Sequence, residues 1–244
     1  MSFDAPPINQ QPEQPRTQET PKRMAEDPTR VTARLLIETK SVLFRPDDPF
    51  IFTSGRPSPV YVDCRRLISF PDARRQLMAM MADQIRDAVD VGQLAVVAGG
   101  ETAGIPFAAW VSELLDLPMV YIRKKPKGFG RNARIEGVLP EGREAVLVED
   151  LATDGGSKIS FVDGLREAGA QCAHTFVIFH YGIFPEGIKT LEKAGVHLHG
   201  LATWWDVLAC AEADGSLDAD TIAKVREFLE APDAWAEAHA PKAS

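Results

Sequence analysis

The stretch Ala145-Val146-Leu147-Val148-Glu149-Asp150-Leu151-Ala152-Thr153-Asp154-Gly155-Gly156-Ser157 passes from an apolar run through two carboxylates into a glycine-rich turn, and Lys158 to Ala168 follows with a helical pattern. Val146, Leu147 and Val148 form a short run rich in β-branched residues, bounded by acids and a turn, as a buried parallel strand should. In open α/β sheets ligands bind beyond the carboxyl ends of such strands. Glu149 and Asp150 are therefore expected to project into that crevice, exposed enough to stay ionised. Adjacent carboxylates there suit a diol or a metal. Gly155 and Gly156 permit positive φ and close approach of the backbone. Thr153 and Ser157 place hydroxyls where helix N–H groups lack partners, at the positive end of the helix dipole, which makes an anion cradle.

Two acids followed by an anion cradle predict a ligand with sugar hydroxyls at one end and a phosphate at the other, such as a ribose 5-phosphate. The turn holds neither the G-x-x-x-x-G-K-[ST] of a P-loop nor a G-x-G-x-x-G dinucleotide fingerprint. Glu149 to Ser157 resembles the phosphoribosyl diphosphate motif of type I phosphoribosyltransferases. The resemblance implies that Glu149 and Asp150 hold the ribose hydroxyls. It makes Leu151, Ala152, Thr153, Asp154, Gly155, Gly156 and Ser157 the loop around the 5-phosphate, with Thr153 also within reach of the base.

Three further segments carry a narrower resemblance. Phe52-Thr53-Ser54-Gly55-Arg56-Pro57-Ser58-Pro59-Val60-Tyr61-Val62-Asp63-Cys64-Arg65, with Ile68-Ser69-Phe70-Pro71 after it, resembles the N-terminal hood of orotate phosphoribosyltransferases. Ala98-Gly99-Gly100-Glu101-Thr102-Ala103-Gly104-Ile105-Pro106 resembles that family's diphosphate turn, which would make Gly99, Gly100, Glu101 and Thr102 donor-binding residues. Tyr121-Ile122-Arg123-Lys124-Lys125-Pro126-Lys127-Gly128-Phe129-Gly130 resembles its mobile catalytic loop. Arg123, Lys124 and Lys127 are then the expected catalytic cations, and Phe129 a substrate contact. The four matches stand in the family's order and span nearly all of the chain from Val31 onward.

The resemblance implies transfer of the 5-phosphoribosyl group from 5-phospho-α-D-ribose 1-diphosphate to N1 of orotate, giving orotidine 5′-monophosphate and diphosphate, a step of pyrimidine biosynthesis. It implies Mg²⁺ as cofactor, carried mainly by the donor's diphosphate, with no protein ligands assigned. It also implies a homodimer in which the mobile loop is shared between subunits. The fold it implies is α/β, the type I phosphoribosyltransferase fold, with a mainly parallel central sheet flanked by helices, a small N-terminal hood and a mobile catalytic loop.

The residues support parts of this independently. Leu94 to Ala98 reads as a buried strand, Gly99-Gly100 lets the backbone turn its amides toward an anion, and Thr102 to Leu115 is patterned as the following helix. Arg123, Lys124, Lys125 and Lys127 gather four cations in a chain of net charge −8. A basic cluster on an acidic protein points to a local anionic ligand rather than nucleic acid, which calls for a broad basic face. Lys125 reads as a solvated member of that cluster. Gly128 to Gly137 has no apolar period and is expected to be a mobile lid that excludes water from the intermediate.

The chain departs from the family pattern in four places. Phe129 stands where many members have a histidine, and it cannot transfer a proton. Pro57 stands where many have a hood lysine, and Ala103 where some have a lysine in the diphosphate turn. Near Tyr181 some have an arginine for the orotate carboxylate; Tyr181 and His180 are the expected base-pocket residues at that strand end. Two alternatives stay open at this point, a phosphoribosyltransferase for another nucleobase and a non-catalytic regulator that senses the donor. The acidic chain offers no DNA-binding segment for the second.

At 244 residues and 45% hydrophobic content the chain suits one α/β domain with tails. No apolar run approaches the roughly 20 residues of a membrane span, and the N-terminus lacks the apolar core of a signal peptide, so a cytoplasmic location is expected. Cys64, Cys172 and Cys210 are an odd set without C-x-x-C spacing, as free thiols would be. The expected division is a disordered tail at 1–28, rich in Pro, Gln, Glu and Thr, a phosphoribosyltransferase domain at 29–231 and a C-terminal tail at 232–244.

Within the domain, Val31 to Phe44 and Pro71 to Val89 read as amphipathic helices. Pro118 to Ile122 and Thr175 to Phe179 read as strands, Ser157 to Ala168 as a crossover helix, and Trp204 to Ala213 and Asp218 to Leu229 as closing helices. Alternating strands and helices imply a parallel sheet covered on both faces. His197 and His199 share a strand face without a third ligand nearby and read as strand surface rather than a metal pair.

Overall fold

The computed structural model describes residues 26–52, 55–126, 134–153 and 155–240. The chain enters through α1 (Pro28–Glu38), whose N-terminus is capped by the Asp27 carboxylate accepting from Thr29 N at 3.1 Å. Its apolar stripe was expected to run on to Phe44. The helix stops at Glu38 instead, because the Thr39 hydroxyl bonds back to the Leu35 carbonyl at 2.7 Å and Lys40 takes a left-handed φ of 54°. Val42 and Leu43 then fall in β1 (Val42–Phe44).

The hood that follows is made of very short pieces. These are β2 (Phe50–Ile51), β3 (Pro57–Ser58) and β4 (Val60–Val62), with β1 pairing β4 and β2 pairing β3, both antiparallel. A 3-10 turn over Cys64–Ser69 leads into α2 (Pro71–Ala88), which buries Leu77, Met78, Met81 and Ile85 on one face, the predicted set.

The main sheet is built from β5 (Leu94–Gly100), β6 (Met119–Ile122), β7 (Ile135–Glu136), β8 (Glu144–Ala152), β9 (Gln171–His180) and β10 (His197–Thr203). Its order is β10-β9-β8-β5-β6-β7, parallel throughout except for β7, which lies antiparallel to β6 at the edge. The crossovers are α3 (Gly104–Leu115), α4 (Gly156–Glu167) and α5 (Pro185–Lys193); α6 (Trp204–Asp214), α7 (Ala219–Glu230) and α8 (Pro232–Ala238) close the chain.

The strands are apolar on both faces, so their side chains sort into two cores by simple alternation. Val97, Val146 and Val148 join the core shared with α2, α3, α6 and the hood. Val96, Ala98, Ala145 and Leu147 join the core under α4, with Phe161, Val162 and Leu165.

Residues 232–244 were expected to be a tail, but α8 occupies 232–238 and buries Trp235 edge-on against Phe228 at 5.4 Å. Of the expected N-terminal tail, 1–25 lie outside the described residues, and Pro28 is already helical. The edge strand β7 falls within a segment expected to be loop throughout. The three cysteines are free and buried. Among the described residues no helix is long and apolar enough to cross a membrane.

Candidate active site

Strand β8 runs past Val148 to Ala152, so Glu149 and Asp150 lie inside it rather than beyond its end. Alternation then separates them. Glu149 follows Leu147 to the face of the sheet under α4, and Asp150 follows Val148 to the face under the hood. Both are buried, at 5% and 6% exposure, which corrects the expectation of two exposed acids side by side. Burial pushes both carboxyls above their usual range, and Lys158 pulls each back toward the ionised form.

The partners of the two acids follow from the faces they occupy. Glu149 Oε2 accepts from Lys158 Nζ at 2.7 Å, while Oε1 is buried without a hydrogen bond. That oxygen is enclosed by backbone, since a Cβ on Gly100 or Gly104 would collide with it. Asp150 Oδ1 accepts from Leu151 N at 2.9 Å, and Oδ2 lies 3.9 Å from Arg65 Nε of the hood's 3-10 turn. Cys64, on the same turn, feels the Asp150 charge, and its thiol is held well above its ordinary value mainly by burial.

The glycine-rich turn enters α4 through Gly155, whose φ of 80° is left-handed; a Cβ there would meet Leu191 at 2.7 Å. Gly155, at the N-cap of this helix, has no side chain to cap it. Thr153, Gly156 and Ser157 are exposed, Leu151 is half-buried, and Ala152 is buried. The Ser157 hydroxyl accepts from Lys158 Nζ at 3.1 Å. Asp154 lies outside the described residues.

The second turn stands beside the first because β5 and β8 are neighbours, with Gly99 level with Val148. Gly99 and Gly100 are buried at the end of β5, Thr102 is exposed, and the Glu101–Thr102 peptide is cis. Ala103, where some relatives carry a lysine, is buried. Glu101 Oε2 accepts from Lys124 N at 2.8 Å, so this turn is joined to the start of the basic segment.

Of the expected catalytic cations, Lys124 is exposed, and Arg123 is half-buried with Nη1 3.6 Å from Glu136 Oε1 on β7. Lys127 and Phe129 lie outside the described residues. Pro57 is buried in β3. Tyr181 is a core residue, 6% exposed, packed with Phe179, Trp204 and Phe184 and close enough to Cys64 and Tyr61 to feel both. The structure therefore brings together Glu149, Asp150, residues 151–153 and 155–157, the 99–102 turn and Lys124, and leaves Tyr181 in the core beside Cys64 and Tyr61.

Three residues were missed from the sequence, namely Lys158, Arg65 and Arg134. Lys158 did carry a signal, since it shares a helical face with Phe161, Val162 and Leu165 at spacings of three, four and seven. His174 joins His199 through a 2.9 Å ring contact, with His197 beside it, yet no group of three His, Cys, Asp or Glu among the described residues could hold a metal.

The geometry agrees with what the chain resembles. Residues 71–196 match the phosphoribosyl transferase domain family. An orotate phosphoribosyltransferase of Cereibacter sphaeroides is 59% identical over 88% of this chain and 93% of its own length. Another, from Ruegeria sp., is 56% identical over 88% of this chain and 95% of its own. Among solved structures, the orotate phosphoribosyltransferase of Aeropyrum pernix superposes with a TM-score of 0.63 at 29% identity, covering 76% of this chain and 99% of that one. Leishmania donovani UMP synthase superposes with a TM-score of 0.68 at 26% identity, covering 82% of this chain and 42% of that one. The chain belongs to the orotate phosphoribosyltransferases and has the type I phosphoribosyltransferase fold.

Proposed function

We propose that this enzyme transfers the 5-phosphoribosyl group of 5-phospho-α-D-ribose 1-diphosphate to orotate, with the donor lying across the carboxyl ends of β8 and β5. The observation that carries the reading is the placement of a buried acid pair between two glycine-rich strand-to-helix turns on adjacent strands. One turn suits the 5-phosphate and the other the diphosphate, and the acids between them suit the ribose.

In this mechanism Asp150 holds the ribose hydroxyls from the hood side, and Glu149 backs the site from the α4 side, its Oε2 held by Lys158 and its Oε1 set against Gly100 and Gly104. The amides and hydroxyls of Thr153 to Ser157 receive the 5-phosphate. Gly99 to Thr102 receive the diphosphate. The bond from C1 to the diphosphate oxygen breaks with its electron pair leaving on diphosphate, and orotate N1 attacks C1 from the opposite face. The ribosyl group is oxocarbenium-like between the two events. Arg123 and Lys124, with Lys127, supply positive charge to the leaving group, so catalysis is mainly electrostatic and positional. The N1 proton of orotate passes to solvent water as the new C1–N1 bond forms, so no proton transfer is asked of the residue at 129.

Mg²⁺ fits the site as a passenger of the donor. Such an ion keeps waters and rides on substrate phosphates. When bound it neutralises charge on the leaving diphosphate. The base then lies between the hood and Asp150, where Arg65 is the cation offered to the orotate carboxylate in place of the lysine lost at Pro57.

The active unit is taken to be a homodimer. Support comes from the α2/α3 face, where Arg74 stacks on Trp110 at 4.2 Å and Phe70 and Leu114, one turn away along each helix, are exposed. Light scattering of the purified protein checks this.

The test of function is loss of orotate absorbance on mixing enzyme, donor and Mg²⁺, with uracil, hypoxanthine and adenine as parallel acceptors. Turnover confined to orotate is expected. Turnover with another base and none with orotate would overturn the assignment.

A further inference from the structure

Lys158 is 4% exposed, on a helical face otherwise made of Phe161, Val162 and Leu165. Burying an ammonium is costly unless it is paired, and a methionine or leucine in its place would pack without that cost. What the lysine touches explains its presence. Its Nζ lies 2.7 Å from Glu149 Oε2 on β8 and 3.1 Å from Ser157 Oγ in the glycine-rich turn. One cation thus contacts both the acid read as a ribose ligand and a hydroxyl of the turn read as the phosphate cradle.

Each contact fixes a direction. With Oε2 engaged, Oε1 is turned against the backbone of Gly100 and Gly104, beside the second glycine-rich turn. A serine hydroxyl has a single hydrogen, so a Ser157 oxygen that accepts from Lys158 points its own O–H elsewhere, as a donor toward the open side of the turn. Ser157 is exposed. We propose that Lys158 is a positioning residue of the phosphoribosyl donor site, fixing the Glu149 carboxylate between the two glycine-rich turns and presetting Ser157 as a donor to the 5-phosphate. This rests on the phosphoribosyl-transfer reading above.

The test compares Lys158→Met, Ser157→Ala, Glu149→Gln and the pairs Lys158→Met/Ser157→Ala and Lys158→Met/Glu149→Gln. It reads kcat and the KM for each substrate, with urea unfolding alongside. Lys158→Met should raise the donor KM by about tenfold or more, as loss of charge-assisted contacts does, and leave the orotate KM within about twofold. Its effect should overlap that of Ser157→Ala, the pair being no more than about twofold worse than Lys158→Met alone. A lysine with only a structural role would lower stability and leave the donor KM unchanged in the folded fraction, and that result overturns the proposal. Should Lys158→Met not fold, Lys158→Met/Glu149→Gln leaves no unpaired buried ion, and a wild-type donor KM in it is equally fatal. Calorimetric titration with the phosphoribosyl diphosphate keeps the two questions apart. If wild type binds donor but does not consume orotate, the functional reading fails, while weakened binding by Lys158→Met still upholds the role of the lysine.

Discussion

Arg134 donates from Nε to the Arg123 carbonyl oxygen at 3.1 Å, and the Arg123 amide donates to the Arg134 carbonyl at 2.8 Å. The two ends of the segment between them are thereby joined, and Arg134 Nη2 carries the joint to Ser160 of α4 at 3.3 Å. Arg123 is the cation expected to face the leaving diphosphate, so its backbone position is set by Arg134. Arg134→Ala should lower kcat by about tenfold, with both KM values within about threefold, since misplacement costs most in the transition state. An unchanged kcat would mean that the joint has no part in placing Arg123.

Alternation along β8 predicts opposite stability effects for the two acids. Burial raises the Asp150 pKa in the folded protein, so the folded state holds that proton more tightly than the unfolded chain does. The cost of the ionised form is absent below the ordinary aspartate value, grows as pH rises toward the folded value, and is fully felt at neutrality. Asp150→Asn removes it and should stabilise the protein at pH 7 by about 1 kcal/mol, flattening the fall of stability across that interval. Glu149→Gln instead takes from the buried Lys158 its hydrogen-bonded counter-charge, leaving only the more distant Asp150, and should cost about 3 kcal/mol. Urea titrations between pH 4 and pH 7 measure both. Each substitution should still lower turnover, and the double substitution should abolish most donor binding; a double mutant with wild-type kinetics would remove the acids from the site.

What the sequence could disclose divides along physical lines. The centres of β5, β8 and β9 were legible because buried parallel strands are apolar on both faces, and α2 because Leu77, Met78, Met81 and Ile85 keep a helical period. The ends were not. β8 was expected to stop at Val148, although Glu149 and Asp150 continue it, since carboxylates read as exposed until their partners are known. The hood pairs are two or three residues long, too short for any period. The turns of the site were legible because glycine and hydroxyl residues declare them locally. Lys158 and Arg65 were not, because each acts through an acid that is remote in sequence or reached only across the sheet.

Arg65 lies 68% exposed by its side chain, on the hood face above Asp150. Of the other hood arginines, Arg66 on the same turn donates to the Thr39 carbonyl at 3.3 Å, and Arg56 is engaged with Asp233 at 2.6 Å and stacks over Phe184. Arg65 is thus the hood cation placed beside the ribose acid and available to a carboxylate on the base. Arg65→Ala should raise the KM for orotate by about tenfold while changing the donor KM by less than about threefold. The opposite split, with the donor weakened and orotate unaffected, would assign Arg65 to the ribose acid instead.

The C-terminal helix binds the closing layer to the hood. Trp235 of α8 packs edge-on against Phe228 of α7 and stacks on His239 at 3.8 Å, while Asp233 of the same helix holds Arg56. Arg56 follows directly into β3, so α8 braces the hood as well as covering apolar surface. Trp235→Ala should destabilise the protein by about 3 kcal/mol, as other buried tryptophan truncations do. Asp233→Asn, on an exposed carboxylate, should leave the unfolding midpoint nearly unchanged. If the brace matters to function, Asp233→Asn will raise the orotate KM through Arg56 without loss of stability. A parallel fall in both properties, or in neither, would confine α8 to a packing role.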